Sequence, residues 1–171
     1  MFKYIFILLT CGLSWYVCYG QKQNRPLHII EDTVKFTYGY ANAKGDTTIP
    51  LGKYKYCFTD KFYNFAIVRT TDFRTVGIDR NENILFDVFM FDNGPDYPSD
   101  KLFRIIINGK IGYADLKGHI VITPQFDCAL PFEKGKAKVG TGCTIKREGE
   151  HSAWVGGTWH IIDKKGNTVG E

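Results

Sequence analysis

Residues 39–45 read GYANAKG and residues 112–118 read GYADLKG, identical at five of seven positions. A chain that repeats itself is built from stacked copies of one small unit, and no copy can bury its apolar face alone. The match extends beyond the heptad. Ile49-Pro50 answers Ile122-Thr123-Pro124, Tyr54 answers Phe126, and Ala66-Ile67-Val68 answers Ala137-Lys138-Val139. Two weaker copies share the frame. Residues 76–83 read VGIDRNEN, and residues 159–168 read WHIIDKKGNT. The anchors Asn42, Asp79, Asp115 and Asp163 are spaced by 37, 36 and 48 residues, the last stretched by an insertion over 140–157.

Each copy predicts a strand, a turn and a strand. Ile111 to Asp115 is rich in strand formers, Gly118 supplies a positive φ, and the β-branched run Ile120-Val121-Ile122 ends at Pro124. The Asp before the turn can accept backbone N–H groups two residues on, and the same logic fits Asn42, Asp79 and Asp163. Gly45, Gly118 and Gly166 are the matching turn glycines. Asn108-Gly109, between two strand-like runs, predicts a tight hairpin, because both residues accept positive φ. Gly156-Gly157, between Ser152–Val155 and Thr158–Ile161, is a second hairpin candidate. Helical spacing is nowhere sustained. The expectation is an all-β chain of tandem short antiparallel hairpins and meanders, about four units, with little helix.

The unit is an aromatic, Gly, Tyr, a spacer, Asp, two spacers and Gly, then Ile-x-Pro, an aromatic, and Gly-x-Ala-x-Val. It resembles the WG β-repeat of bacterial exported and envelope proteins. The fullest copy runs over residues 109–139 and includes Gly135-Lys136-Ala137-Lys138-Val139. The stretch 84–105 is also similar to a segment recurring among such proteins. The Trp-Gly pair itself is replaced by Tyr38-Gly39, by Val76 with Gly77, by Ile111-Gly112 and by Trp159-His160. Lys101 stands where the third copy has Gly135, and Glu82 where a turn glycine belongs. The resemblance implies β architecture and a binding or scaffold role, with no reaction and no cofactor attached.

The N-terminus has Lys3 ahead of the apolar run Tyr4–Val17, then Cys18-Tyr19-Gly20. That is the pattern of an export signal cut before Gln21, with an uncleaved anchor and lipidation at Cys11 as alternatives. The run is short for a membrane span, and no later segment offers one. The domain reading is a signal over 1–20, a lead-in over 21–35 and one β domain over 36–171. Its units lie near 36–70, 73–108, 109–142 and 153–171. Cleavage would leave Cys57, Cys128 and Cys143, an odd number. Three buried thiols are the favoured expectation, and a Cys128–Cys143 bridge the alternative.

Lys plus Arg number 22 against 18 Asp plus Glu, an excess too small and too scattered for a nucleic-acid partner. Asp92, Asn93, Asp96 and Asp100 form the densest polar loop and could offer oxygens to Ca²⁺, but without EF-hand spacing. The competing reading is an ordered turn capped by Asp96, with Tyr97 an exposed contact between prolines. Cys143, Glu148, Glu150 and His151 cluster in the insertion without a zinc-binding pattern, which leaves a solvated loop. His119 and His160 read as structural. No nucleophile elbow, P-loop or dinucleotide fingerprint occurs. Asp79, Asp115 and Asp163 could serve a paired-carboxylate hydrolase, but each has a structural reason to precede a turn. Phe86, Phe89, Phe91, Phe103, Tyr113, Phe126 and Phe132 are expected in the core. The leading expectation is a non-enzymatic, exported module that contacts a protein or glycan. The alternatives are an envelope hydrolase and a Ca²⁺ or small-molecule binder through residues 92–100.

Overall fold

The computed structural model describes residues 25–149 and 151–170. The expected signal over 1–20, with Cys11 and Cys18, lies outside the described residues, as does Glu150. Every regular element among the described residues is a strand.

Four three-stranded meanders follow one another. The first is β1 (Leu27–Asp32), β2 (Thr37–Ala41) and β3 (Thr47–Tyr54). Two short strands, β4 (Tyr56–Cys57) and β5 (Lys61–Phe62), lead to the second: β6 (Phe65–Arg69), β7 (Thr75–Asp79) and β8 (Ile84–Val88). A strap holding β9 (Met90–Phe91) and β10 (Gly94–Pro95) leads to β11 (Leu102–Ile107), β12 (Lys110–Asp115) and β13 (Ile120–Phe126). Last, a short strand β14 (Cys128–Ala129) precedes the fourth meander: β15 (Lys136–Glu148), β16 (His151–Asp163) and β17 (Thr168–Val169).

The meanders join as sheets of order β3-β2-β1-β5, β13-β12-β11-β8-β7-β6-β4 and β14-β15-β16-β17, with β10-β9 a small ribbon. The central sheet forms because β11 pairs antiparallel with β8, Ile105 opposite Val88. At Lys55, and again at Asp127, the chain leaves one sheet and enters the next. The molecule is therefore two similar halves, residues 27–88 and 102–169. Leu27 and Leu102 open them, and Ile30 and Ile105 face Gly39 and Gly112.

The Gly of the Tyr38-Gly39 and Ile111-Gly112 pairs has a steric cause. A Cβ on Gly39 would lie 2.4 Å from the Ile49 carbonyl oxygen, and one on Gly112 would lie 2.4 Å from that of Ile122 and 2.6 Å from Pro124 N. Both glycines sit at register shifts, where the partner strand bulges across them. Pro50 and Pro124 lie in β3 and β13, which are sheet-edge strands, and a missing N–H there blunts the edge.

Strand alternation sorts the core into three clusters. One packs Leu27, Tyr40, Ile49, Phe62, Val68 and Ile78 in the first half. Its counterpart packs Leu102, Tyr113, Ile122, Phe132, Val139 and Ile162 in the second. Phe65, Phe86, Val88, Phe103 and Ile105 form the third, across the β8–β11 seam. Tyr40 and Tyr113 are both buried and place their rings edge-on to Phe62 and Phe132. Their hydroxyls donate to the carbonyls of Thr59 and Leu130 at 2.9 and 2.7 Å, so neither buried oxygen lacks a partner.

Three expectations need correction. Gly156-Gly157 is no hairpin turn. Both lie within β16 at positive φ, with Cys143 opposite Gly156, and the chain reverses between Glu148 and His151. The insertion is accordingly a β-ribbon continuing β15 and β16 rather than a loop. Cys128 and Cys143 are joined as a disulfide, with Cα atoms 6.1 Å apart, and only Cys57 remains a free buried thiol among the described residues. Gly140 makes room for it, since a Cβ there would meet Cys128 Sγ at 2.8 Å and Cys143 Sγ at 3.0 Å. Of the expected aromatic core, Phe86, Phe103, Tyr113, Phe126 and Phe132 are buried, but Phe89 is half-buried and Phe91 is exposed, because both belong to the strap.

Candidate functional site

The repeat carboxylates are held by their own turns. Asp79 Oδ1 accepts the N–H groups of Asn81 and Asn83 at 2.8 and 2.9 Å. Asp115 Oδ1 accepts those of Lys117 and His119, and Asp163 Oδ1 those of Lys165 and Asn167, at the same distances. Asn42 does the same with Lys44 and Asp46, at 2.8 and 3.1 Å. The second oxygen meets the residue four places on: Asn83, His119 or Asn167. Asn42 reverses this contact, donating its Nδ2 to Asp46. The left-handed position is glycine at Gly45, Gly118 and Gly166, and Glu82 adopts it at φ 64°. Glu82 is steadied there by Lys53 at 2.8 Å and the Tyr54 hydroxyl at 2.9 Å. The missing glycine therefore leaves the turn intact.

These bonds favour the charged form of each acid. The side-chain and backbone bonds from Asn83 hold Asp79 below its ordinary value, and those from Asn167 do so for Asp163. For Asp115 burial pushes upward, and the bonds from His119 outweigh it. A lowered carboxyl that already accepts several N–H groups is suited to holding a turn rather than to carrying protons.

Asp100-Lys101 and Lys134-Gly135 are likewise one turn made twice, with positive φ at all four residues and Ser99–Leu102 and Glu133–Lys136 bridging them. The Gly135 N–H donates to Asp100 Oδ2 at 2.6 Å, so the two turns hold each other. Asn108-Gly109 forms the tight hairpin, at φ 52° and 74°.

The strap between the halves, residues 89–98, is fastened by a buried ion pair. Arg104 Nε and N–H donate to Asp96 Oδ2 at 2.9 and 2.8 Å, Arg104 Nη2 donates to Asp96 Oδ1, and Nη1 reaches the Ala129 carbonyl at 3.0 Å. Both side chains are almost wholly buried, and the guanidinium lies 4.1 Å from the Phe89 ring centre. Asp96 is therefore a fastener and no turn cap, and its oxygens are engaged by Arg104. Asp92, at φ 56°, and Asn93 form the exposed turn between β9 and β10, while Asp100 caps Gly135. The loop thus does not converge on a cation, and no group of three potential metal ligands occurs among the described residues. Tyr97 is 73% exposed, held between Pro98 and the buried Asp96.

The strap walls two clefts. One, of about 830 Å³, is lined by Lys55, Tyr56, Phe58, Arg69, Phe73 and residues 93–98. The other, of about 580 Å³, is lined by Phe89, Phe91, Lys138, Trp154, Trp159 and Leu130, with Ile145 of the ribbon. They occupy matching places in the two halves. Phe58 donates its N–H to the Ile67 carbonyl as Leu130 does to that of Lys138, and each pair lines its own cleft. In the first cleft Arg69 lies 5.4 Å from the Phe58 ring and Lys55 lies 5.9 Å from that of Phe73. In the second, Lys138 lies 5.4 Å from the Trp159 ring, whose Nε1 donates to the Gly156 carbonyl.

The sequence pointed to Asp92, Asn93, Asp96 and Tyr97 on the strap but missed Lys55, Phe58, Arg69, Phe73, Trp154 and Trp159. Those six come from distant segments, and no local spacing brings them together. His119 is exposed beside Asp115, and His160 lies edge-on to Phe126, so neither enters a cleft. Cys143 is committed to its disulfide. No helix among the described residues is long and apolar enough to cross a membrane.

Residues 38–72 and 111–142 match the family model of the WG containing repeat. No curated protein and no solved structure matches the chain. The two matches fall at equivalent places, each running from the meander strand that carries Gly39 or Gly112 through the sheet crossing into the next sheet.

Proposed function

We propose that this WG-repeat chain is a non-enzymatic binding module that holds a partner in the clefts beside the strap and works outside the cytoplasm, in the envelope or beyond it. The observation that carries this reading is the division of labour among polar groups. The repeat carboxylates Asp79, Asp115 and Asp163 are spent on their own turns, and Asp96 on Arg104. What faces solvent in the first cleft is aromatic and cationic, Tyr56, Phe73 and Tyr97 with Lys55 and Arg69, and the second sets Phe91 and Lys138 beside the exposed Asp92. Large rings on a fixed frame are contact surfaces, because they bury much area for little lost entropy. Export is supported by the N-terminal pattern and by the Cys128–Cys143 bridge, since disulfides persist in oxidising compartments.

The test is photo-cross-linking from position 97 or 154 in the full-length chain, in cells, followed by fractionation. The reading expects saturable adducts that cleft substitutions abolish, recovered with exported material. A folded chain that forms no adduct from either position would overturn it.

A further inference from the structure

We infer that the first cleft takes an acidic polysaccharide, with sugar rings stacked on Tyr97, Phe73 and Tyr56 and ring carboxylates paired with Lys55 and Arg69. The inference rests on the binding-module reading and names the ligand class.

Charge complementarity comes first. Lys55 and Arg69 both line the cleft, and neither forms an ion pair with an acid among the described residues. Among the described residues its only acidic lining residue, Asp96, is buried and neutralised by Arg104. The cleft is therefore net cationic, and it favours anions. Arg69 is held in place by Thr75 Oγ1 and by the Phe58 face rather than by a carboxylate, so its guanidinium need break no salt bridge to meet one.

Ring shape comes second. Phe73 is 71% exposed, Tyr97 73% and Tyr56 42%. Tyr56 packs between Tyr38 and Phe58, both at 4.7 Å, and Tyr97 follows the buried Asp96. Flat faces suit the apolar C–H face of a pyranose, while the Tyr56 and Tyr97 hydroxyls and the Asn93 amide can meet sugar hydroxyls. A peptide added as a strand would need a length of free edge. The edge strands lining this cleft, β4 and β10, are two residues long each, which is too short to template one. Side-chain recognition of rings is what the cleft offers.

The experiment is calorimetric titration of the full-length chain with hexagalacturonate, against neutral maltohexaose, at low and high salt. Saturable binding of the acidic sugar, weakened by salt, is expected. Tyr97→Ala and Phe73→Ala should each weaken it about tenfold, and Lys55→Gln with Arg69→Gln about as much or more. Lys44→Gln with Lys165→Gln, two exposed lysines on repeat turns outside both clefts, should leave it unchanged. Both rings are solvent-exposed, so thermal melts should confirm that the variants fold. Equal binding of maltohexaose, no binding of hexagalacturonate, or binding indifferent to Tyr97→Ala and Phe73→Ala would overturn the inference. If hexagalacturonate fails while cross-linking from position 97 captures a protein saturably, the ligand class is wrong and the binding-module reading stands. If both fail, that reading falls as well.

Discussion

The two halves of the molecule share a frame and differ on the face that frame presents. Tyr56, opposite Arg69 in the first half, occupies the place of Cys128, opposite Gly140, in the second. Where one half sets a ring and a cation at the mouth of a cleft, the other sets a disulfide and the glycine that clears it. Beyond this point the first half turns back within residues 70–74, while the second extends a ribbon carrying Ile145 and Trp154 into its cleft. The lesson is that Asx turns, bulge glycines and buried tyrosines specify the fold, which leaves the neighbouring strand positions free to diverge in chemistry.

The sharpest way to break this symmetry is at the bulge glycines. Gly112→Ala would drive a Cβ into the Ile122 carbonyl and the Pro124 backbone, and rigid backbone cannot yield as a side chain can. A loss of at least about 3 kcal/mol is expected, or failure to fold, with Gly39→Ala behaving alike. Chemical denaturation of the pair measures this. Tolerance of either alanine would mean the two bulges are not equivalent.

Next in size is the fastener. Arg104→Met leaves Asp96 buried without its partner, at a cost of about 3–5 kcal/mol. Because the strap walls both clefts, the variant should also raise amide exchange across residues 89–98. A stability loss with the strap still protected would mean that the ion pair does not hold it.

The disulfide belongs to one half only. Its loop is short, so Cys143→Ser or reduction should cost about 3 kcal/mol at most. A melt with and without reductant reads this directly. Cys57, whose thiol burial pushes up to about 11, should stay unreactive in the folded chain.

The smallest effect is electrostatic, and the frame supplies its own control. Asp79, Asp115 and Asp163 have lowered folded-state values, so their stabilisation is full above the ordinary aspartate pKa of about 4 and is lost as pH falls through the folded values. Asn42 does the same work without titrating. The triple variant D79N/D115N/D163N should therefore melt with less dependence on pH between about 5 and 2 than the parent. An unchanged acid profile would remove these turns from the acid sensitivity.

How much of this the sequence shows depends on range. The turns were legible because an Asx residue and its amides lie within four positions. So were the hairpin at Asn108-Gly109 and the strand alternation. Gly156-Gly157 misled, because a glycine pair can sit at positive φ inside a continuous ribbon as well as in a turn. Asp96 misled for a different reason. Its partner Arg104 is eight residues away on the far side of a turn, and an acidic residue in a polar loop carries no local mark of burial. The clefts were illegible, since Lys55, Phe73 and Tyr97 meet only after the strap folds back. For the same reason Phe89 and Phe91, which match the core composition, line the second cleft.

The turns build the frame, and the clefts are where we propose that a ligand binds. Hydrogen exchange on the full-length chain, with and without hexagalacturonate, tests this most directly. Added protection confined to residues 55–58, 67–73 and 93–98, with the amides of Asp46, Asn83, His119 and Asn167 unchanged, is the predicted result. Protection appearing at the Asp79, Asp115 or Asp163 turns instead would contradict the claim, because it would make the repeat carboxylates the ligand site.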